Sequence, residues 1–334
     1  MTKIRWGMIG CGDVTEVKNG PGLYKCRDSE LVGVTNRTTA KAEDWVRRHG
    51  HGSVFPSVKE LLACPDIDIV YIATTPETHK EMALLCAAAG KHCYLEKPIA
   101  HSYKDAVELQ KVFASAGKKI FVAHYRRGLP KTKKLKELIQ RISPVQSVRV
   151  VRTDTQKTLS GWRADTEISG GGPFFETDVH LVDLLDYLFG PLYYFHTTGI
   201  FTAKANKANK GREENTITLI AQGRDGIIIS GLWQYGAFKA LDICEVYGAN
   251  GHLTFAGMST GGKAVLETAD RTEEIVFPDE EHVGLPLEQM IVDELLGRST
   301  CPSTLETAMR ALKICENAYG RSAFSGLAIN ANRG

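Results

Sequence analysis

The chain has 334 residues, 43% of them apolar and 24% charged, with a net charge of +2. That length suits two domains with sizeable cores and excludes a disordered or fibrous protein, while the near-neutral charge gives no electrostatic case for nucleic acid or an anionic membrane as main partner. Eight scattered cysteines, with no C-x-x-C pair and no zinc spacing, predict a reducing compartment, no disulfide framework and no metal site.

The first residues already read as a strand, 3–9, and not as a signal segment; with no apolar run of membrane-span length, the expected location is cytoplasmic. That strand runs into Gly10-Cys11-Gly12. Gly10 permits a tight turn, and Gly12 lets the backbone approach a pyrophosphate at the start of a helix over 13–25, with Asp13 and Val14 in its first turn. The usual third glycine is Thr15 here, so the turn alone equally suits a connection that binds no nucleotide.

The strand 31–35 ends at Asn36-Arg37-Thr38, where a NAD site expects an acidic residue for the ribose hydroxyls. A carboxylate would repel a 2′-phosphate and an Arg can bind one, so NADP is favoured over NAD. The alternative is an Arg37 that stacks on adenine or faces solvent. Strands at 68–73, 92–95 and 119–123 alternate with helices near 39–49, 57–63, 78–89 and 102–116, which predicts a doubly wound parallel sheet.

Ligands of such a sheet sit at the carboxyl ends of its strands. One strand ends at Thr74-Thr75-Pro76 with His79 just beyond, and another at Glu96-Lys97-Pro98. The first group can shape a nicotinamide-ribose site; Lys97 can donate to a substrate oxygen. The plainer alternatives are a helix cap with a surface histidine, and a surface Glu–Lys pair.

After residue 123 the pattern changes, dividing the chain into 1–123 and 124–334. A basic helix at 130–141, whose lysines 131, 133, 134 and 136 read as a solvated face, leads to a strand at 145–154 and a helix at 173–188. Strands at 194–196, 216–220, 226–230, 243–247 and 275–277 follow with short turns, so antiparallel pairing is expected. The stretch 203–212 reads as a loop, and helices at 285–296 and 303–322 close the chain. A large antiparallel sheet needs its faces covered, and a second subunit is one way to cover the outer face.

The segment Gly170-Gly171-Gly172-Pro173 gives a flexible entry into the helix that carries Glu176, Asp178, His180 and Asp183. Glu176 and His180 are four apart, Asp183 is three further on and could orient the imidazole, and a histidine is the natural base near neutral pH. The alternative is an amphipathic helix with a charged face.

Taken together, Gly10-Cys11-Gly12, Thr74-Thr75-Pro76 with His79, Glu96-Lys97-Pro98, Trp162-Arg163 and Gly170-Gly171-Gly172 with His180 and Asp183 resemble the Gfo/Idh/MocA family over nearly the whole chain. The resemblance implies an N-terminal Rossmann domain, a C-terminal α+β domain with a large, mostly antiparallel open sheet, and homodimers or homotetramers. It implies NAD(P)-dependent oxidation or reduction at a secondary alcohol or ketone of a sugar, cyclitol or related polyol. Lys97 takes the place of the lysine that contacts substrate and nicotinamide ribose, and His180 that of the acid–base. Glu176 stands where the family usually has Asp, and Asp178 where a small residue is frequent, so Asp178 is a candidate for the site. Tyr125, Arg126 and Arg163 look placed to line the substrate pocket. Two other activities occur in the family: glycoside cleavage through transient oxidation by bound NAD, and dinucleotide sensing without catalysis.

Overall fold

The structure, a computed structural model, describes residues 3–155, 159–201 and 214–320. The first half alternates short apolar strands with helices. In order come β1 (Ile4–Ile9), a short α1 (Gly22–Lys25), β2 (Ser29–Thr35), α2 (Thr39–His49), β3 (Ser53–Val54), α3 (Val58–Ala63) and β4 (Ile69–Ile72). Then follow α4 (His79–Ala88), β5 (His92–Leu95), α5 (Tyr103–Ser115) and β6 (Ile120–Val122). Among the described residues these strands form one parallel six-stranded sheet in the order β3-β2-β1-β4-β5-β6. β4 is buried along its whole length, as expected of a strand covered on both faces. The strand order reverses between β1 and β4, so the carboxyl ends of β1, β4 and β5 border the ligand crevice.

The single helix expected over 13–25 is broken. A π-helical turn, Val14–Lys18, is followed by α1, with Gly20-Pro21 between. Pro21 has no N–H to give to a continuous helix, and a Cβ on Gly20 would collide with the Thr15 carbonyl oxygen. Elsewhere local signals hold: Ser57 accepts the Glu60 amide at the start of α3.

The second half comprises α6 (Pro130–Ile142), β7 (Val145–Asp154), α7 (Thr166–Ser169), α8 (Val179–Phe189), β8 (Tyr193–Phe201), β9 (Glu214–Gln222), β10 (Ile228–Tyr235) and β11 (Leu241–Gly248). β12 (Gly251–Phe255), β13 (Gly262–Glu267), β14 (Thr272–Phe277), α9 (Leu285–Leu295) and α10 (Leu305–Ala318) complete it. The described strands form an eight-stranded sheet in the order β14-β13-β12-β11-β7-β10-β9-β8, antiparallel except between β7 and β10. β12 and β13 are absent from the sequence reading, although Leu253 with Phe255 and Ala264 with Leu266 alternate inward. The loop expected at 203–212 lies outside the described residues.

The register puts Ile200, Ile220, Ile228 and Val276 on the outer face of this sheet, all exposed. Its inner face packs on α8, which is buried almost all round. α9 returns to the first half, where Leu287, Ile291 and Val292 join the core around Trp6 and Met8. Burying three such side chains contributes up to about 1.5–3 kcal/mol each. Among the described residues no helix is long and apolar enough to cross a membrane.

Candidate active site

Three strand ends build a cradle. Gly10 has φ +101°, and a Cβ there would lie 2.6 Å from the Ala73 carbonyl oxygen just past β4. Only glycine satisfies both demands. A Cβ on Gly12 would meet nothing within 4 Å, so this peptide borders open space, with Asp13 exposed and Val14 half-buried beside it. Thr15 is buried and donates from Oγ1 to the Gly12 carbonyl at 2.7 Å. After β2, Asn36 Nδ2 donates to the Thr38 carbonyl at 3.0 Å, and Arg37 and Thr38 are exposed. Among the described residues no carboxylate comes within ion-pair distance of Arg37. A glycine cradle and a cation without a counter-charge fit a phosphorylated dinucleotide.

After β4, Thr74 and Thr75 are half-buried at the crevice and Pro76 is buried behind them. His79 does not reach the crevice. It is fully buried, with Nδ1 2.7 Å from the Pro98 carbonyl oxygen and Nε2 3.1 Å from that of Thr74. Burial pushes its pKa down to about 4, so the ring is neutral and has one N–H for the shorter contact. His79 therefore donates to the Lys97-Pro98 turn and packs against the Thr74 turn from inside the fold, rather than meeting a cofactor directly as expected. Glu96 also turns inward: Tyr71 Oη at 2.7 Å and Asn19 Nδ2 at 2.6 Å donate to its Oε1. Burial raises its pKa. Glu288 of α9 is fully buried with neither carboxyl oxygen hydrogen-bonded; burial and the charge of Glu96 raise its pKa well above the ordinary value.

Lys97 crosses from β5 to the second half. Its Nζ donates to the Glu176 main-chain oxygen at 2.6 Å and to Oε1 at 3.0 Å. Arg163 Nε lies 3.3 Å from the same Oε1, and Thr177 Oγ1 donates to Oε2 at 2.6 Å. Burial alone would raise the Glu176 pKa, but Lys97, Thr177 and Arg163 overcome it and hold the carboxyl down at about 2. An ammonium has three donors; Glu176 takes two.

Glu176 lies in a π-helical turn, Phe174–Asp178, that precedes α8. Its i→i+5 bonding widens the coil, so the four-residue spacing to His180 does not stack the side chains as in an α-helix. Glu176 is committed to Lys97, and the expected support of His180 by Glu176 is not what forms. Nor does Asp183 orient the imidazole. Its fully buried carboxylate accepts from Arg127 Nε at 2.9 Å and Nη2 at 2.8 Å. The three glycines are not a loose entry either: a Cβ on Gly171 would strike Tyr319 and Phe175, and the Gly172 amide donates to Tyr319 Oη at 2.8 Å.

His180 is 7% exposed, and its Nδ1 is buried with no hydrogen-bond partner. The His124 ring meets it edge-on at 5.6 Å and the Tyr125 ring lies 4.9 Å away. Burial first, then the charges of Arg126, Lys97, His124 and Lys18, depress its pKa well below the ordinary value. The ring is a neutral base at neutral pH. Asp178, two residues earlier, accepts from Tyr235 Oη at 2.6 Å and sits 3.5 Å from Arg152 Nε; burial raises it to about 6.

Arg127, His124, Arg152, Tyr235 and Asp242 complete the surroundings and were not singled out from sequence, and Lys131 joins them against the solvated-face expectation. Lys131 in particular is no solvated lysine: it is 5% exposed and donates to the carbonyls of Ala256, Ser259 and Gly261. Among the described residues no group of His, Cys, Asp or Glu is placed to hold a metal ion.

Known proteins resemble this chain in sequence and in fold. A family model for the oxidoreductase family with an NAD-binding Rossmann fold matches residues 4–124, and one for the GFO/IDH/MocA C-terminal domain matches residues 132–254. The chain is 31% identical over 323 residues to an oxidoreductase of Formosa agariphila, covering 94% of this chain and 98% of that one. It is 24% identical over 327 residues to scyllo-inositol 2-dehydrogenase (NADP(+)) IolU of Bacillus subtilis, covering 94% and 96%. The crystal structure of aldose-aldose oxidoreductase from Caulobacter crescentus, complexed with glycerol, superposes with a TM-score of 0.83 at 18% identity, over 96% of this chain and 97% of that one. At that identity the likeness speaks for the fold.

Proposed function

The chain belongs to the Gfo/Idh/MocA family of NAD(P)-dependent oxidoreductases, and from that premise we propose that it interconverts a secondary alcohol and a ketone of a sugar, cyclitol or related polyol, with NADP preferred. The observation that carries this reading is the reach of Lys97 across the crevice to Glu176, one helical turn before the unpartnered His180. A bound nicotinamide supplies the hydride acceptor or donor. The neutral imidazole of His180 takes the hydroxyl proton during oxidation and returns it during reduction. The third donor of Lys97 goes to the reacting oxygen, where it counts most as alkoxide charge develops. Glu176 holds that ammonium in place, and Arg163 helps to fix the Glu176 carboxylate. Gly10, Gly12, Asp13 and Val14 cradle the pyrophosphate, Thr74, Thr75 and Pro76 border the nicotinamide ribose, and Arg37 with Asn36 and Thr38 takes the 2′-phosphate.

A panel of polyols and keto-sugars, read at the reduced-nicotinamide absorbance with both cofactors, tests the reading. It expects turnover with at least one alcohol, faster with NADP at limiting concentration. A chain that turns over none of them with either cofactor contradicts it.

A second copy of the chain suits the exposed apolar face of the eight-stranded sheet, where Ile200, Ile220, Ile228 and Val276 share one side. Light scattering should then give twice or four times the chain mass. The eight cysteines, all free, suit a reducing compartment, the cytoplasm.

A further inference from the structure

Arg126 is the side chain that the proposed reaction leaves unexplained. It is 4% exposed, and Nη2 donates to the Met258 carbonyl at 2.5 Å. Nε and Nη1 are buried with no hydrogen-bond partner. Among the described residues no carboxylate stands within ion-pair distance of this guanidinium. Three cationic neighbours are matched by carboxylates, Lys97 by Glu176, Arg127 by Asp183 and Asp186, and Arg152 by Asp154, and Lys131 gives its donors to three carbonyls. Leaving a cation and its donors buried without partners is costly, so the arrangement makes sense where an anion arrives with a ligand.

The position fits. The Tyr125 ring lies 4.9 Å from the Arg126 guanidinium carbon and 4.9 Å from the His180 ring, so the cation flanks the reacting centre. It is also held in place. Asp242 accepts the amides of Gly257, Met258 and Ser259, while Lys131 collects the carbonyls of Ala256, Ser259 and Gly261. The loop is thus pinned from both sides, and the Met258 carbonyl that orients Arg126 is fixed. Asp178, the acidic side chain nearest in sequence to His180, accepts from Tyr235 with one oxygen and faces Arg152 at 3.5 Å with the other; the Arg126 charge reaches this carboxylate too, but from beyond ion-pair distance.

We propose that Arg126 receives a carboxylate carried by the substrate, so that the alcohol or ketone handled at His180 belongs to a sugar acid or polyol acid. A single unmatched guanidinium balances one negative charge, which favours a carboxylate over a phosphate dianion. The inference rests on the dehydrogenase reading above and narrows its substrate class.

The test uses the full chain with NADP. Turnover of D-glucuronate, D-galacturonate and D-gluconate is compared with D-glucose, D-galactose, myo-inositol and glucose 6-phosphate. The expected result is a kcat/KM for at least one acid about a hundredfold or more above its neutral counterpart, because a site built for a hydrogen-bonded group rejects the analogue lacking it. That ratio falls towards one in Arg126→Leu and is partly kept in Arg126→Lys. A neutral sugar or the phosphate ester as preferred substrate overturns the proposal, as does a ratio unchanged in Arg126→Leu. Calorimetric titration of the NADPH-bound wild type with gluconate and glucuronate decides the case where Arg126→Leu fails to fold: binding of either acid, with none of the neutral sugars, supports the role, and no binding of either removes it. Turnover of neutral polyols that depends on His180 would leave the dehydrogenase reading standing while this one fails.

Discussion

Replacing Glu176 by Gln removes the carboxylate that holds Lys97. The pair is 14% and 5% exposed, so solvent screens it little. Burial works against the charged carboxyl, yet Lys97, Thr177 and Arg163 bring it down to about 2. Against the free-glutamate value near ~4.3, about two pKa units correspond to roughly 3 kcal/mol. Breaking a buried pair by removing one partner costs about 3–5 kcal/mol, which agrees. Because the folded value is depressed, this stabilisation is complete above ~4.3 and is lost as pH falls towards 2. Urea unfolding of both proteins should therefore show a gap of roughly 3 kcal/mol that is constant from about pH 5 to 8 and narrows in more acid solution. A gap under about 1 kcal/mol at neutral pH, or one that ignores acidification, would refute the account of how Lys97 is held.

Glu288→Gln should show the opposite pH trend. Its folded pKa is raised, so wild-type stability declines as pH climbs above ~4.3, by up to about 1.4 kcal/mol per pH unit until the folded pKa is reached. The variant's advantage should therefore widen from about pH 5 to 8, and parallel stability curves would contradict a buried neutral acid. Arg37→Ala should cut the preference for NADP over NAD by roughly ten- to hundredfold in kcat/KM, with an unchanged ratio assigning Arg37 to solvent. Gly10→Ala forces a Cβ against the Ala73 carbonyl at φ +101°. Thermal unfolding should show a loss on the order of 2–3 kcal/mol, and wild-type stability would mean the turn relaxes.

The parallel sheet was legible because its signals are local. Short apolar strands, the Ser57 cap and the Gly10 turn each act within a few residues, and Lys97 is marked by its place at a strand end. What sequence hid was partner choice. The spacing of Glu176, His180 and Asp183 reads as one cooperating face only if the coil is α-helical and the carboxylates are free. The π turn breaks the first condition; Lys97 and Arg127, distant in the chain, break the second. His79 and Lys131 were misjudged for the same reason, since burial by other segments turned a crevice residue into a brace and a surface lysine into a clamp. β12 and β13 escaped because each offers only two inward side chains, too few for a periodic pattern.

The roles of Lys97 and His180 are tested most directly by a double-mutant cycle on the best alcohol of the panel. Turnover is measured for wild type, Lys97→Met, His180→Asn and the double variant, together with NADPH affinity by fluorescence. Each single change should lower kcat by about a hundredfold or more. The double variant should be little worse than either, as for groups that act as a unit, and His180→Asn should bind NADPH within about tenfold of wild type. Wild-type turnover in either single variant would contradict the assignment.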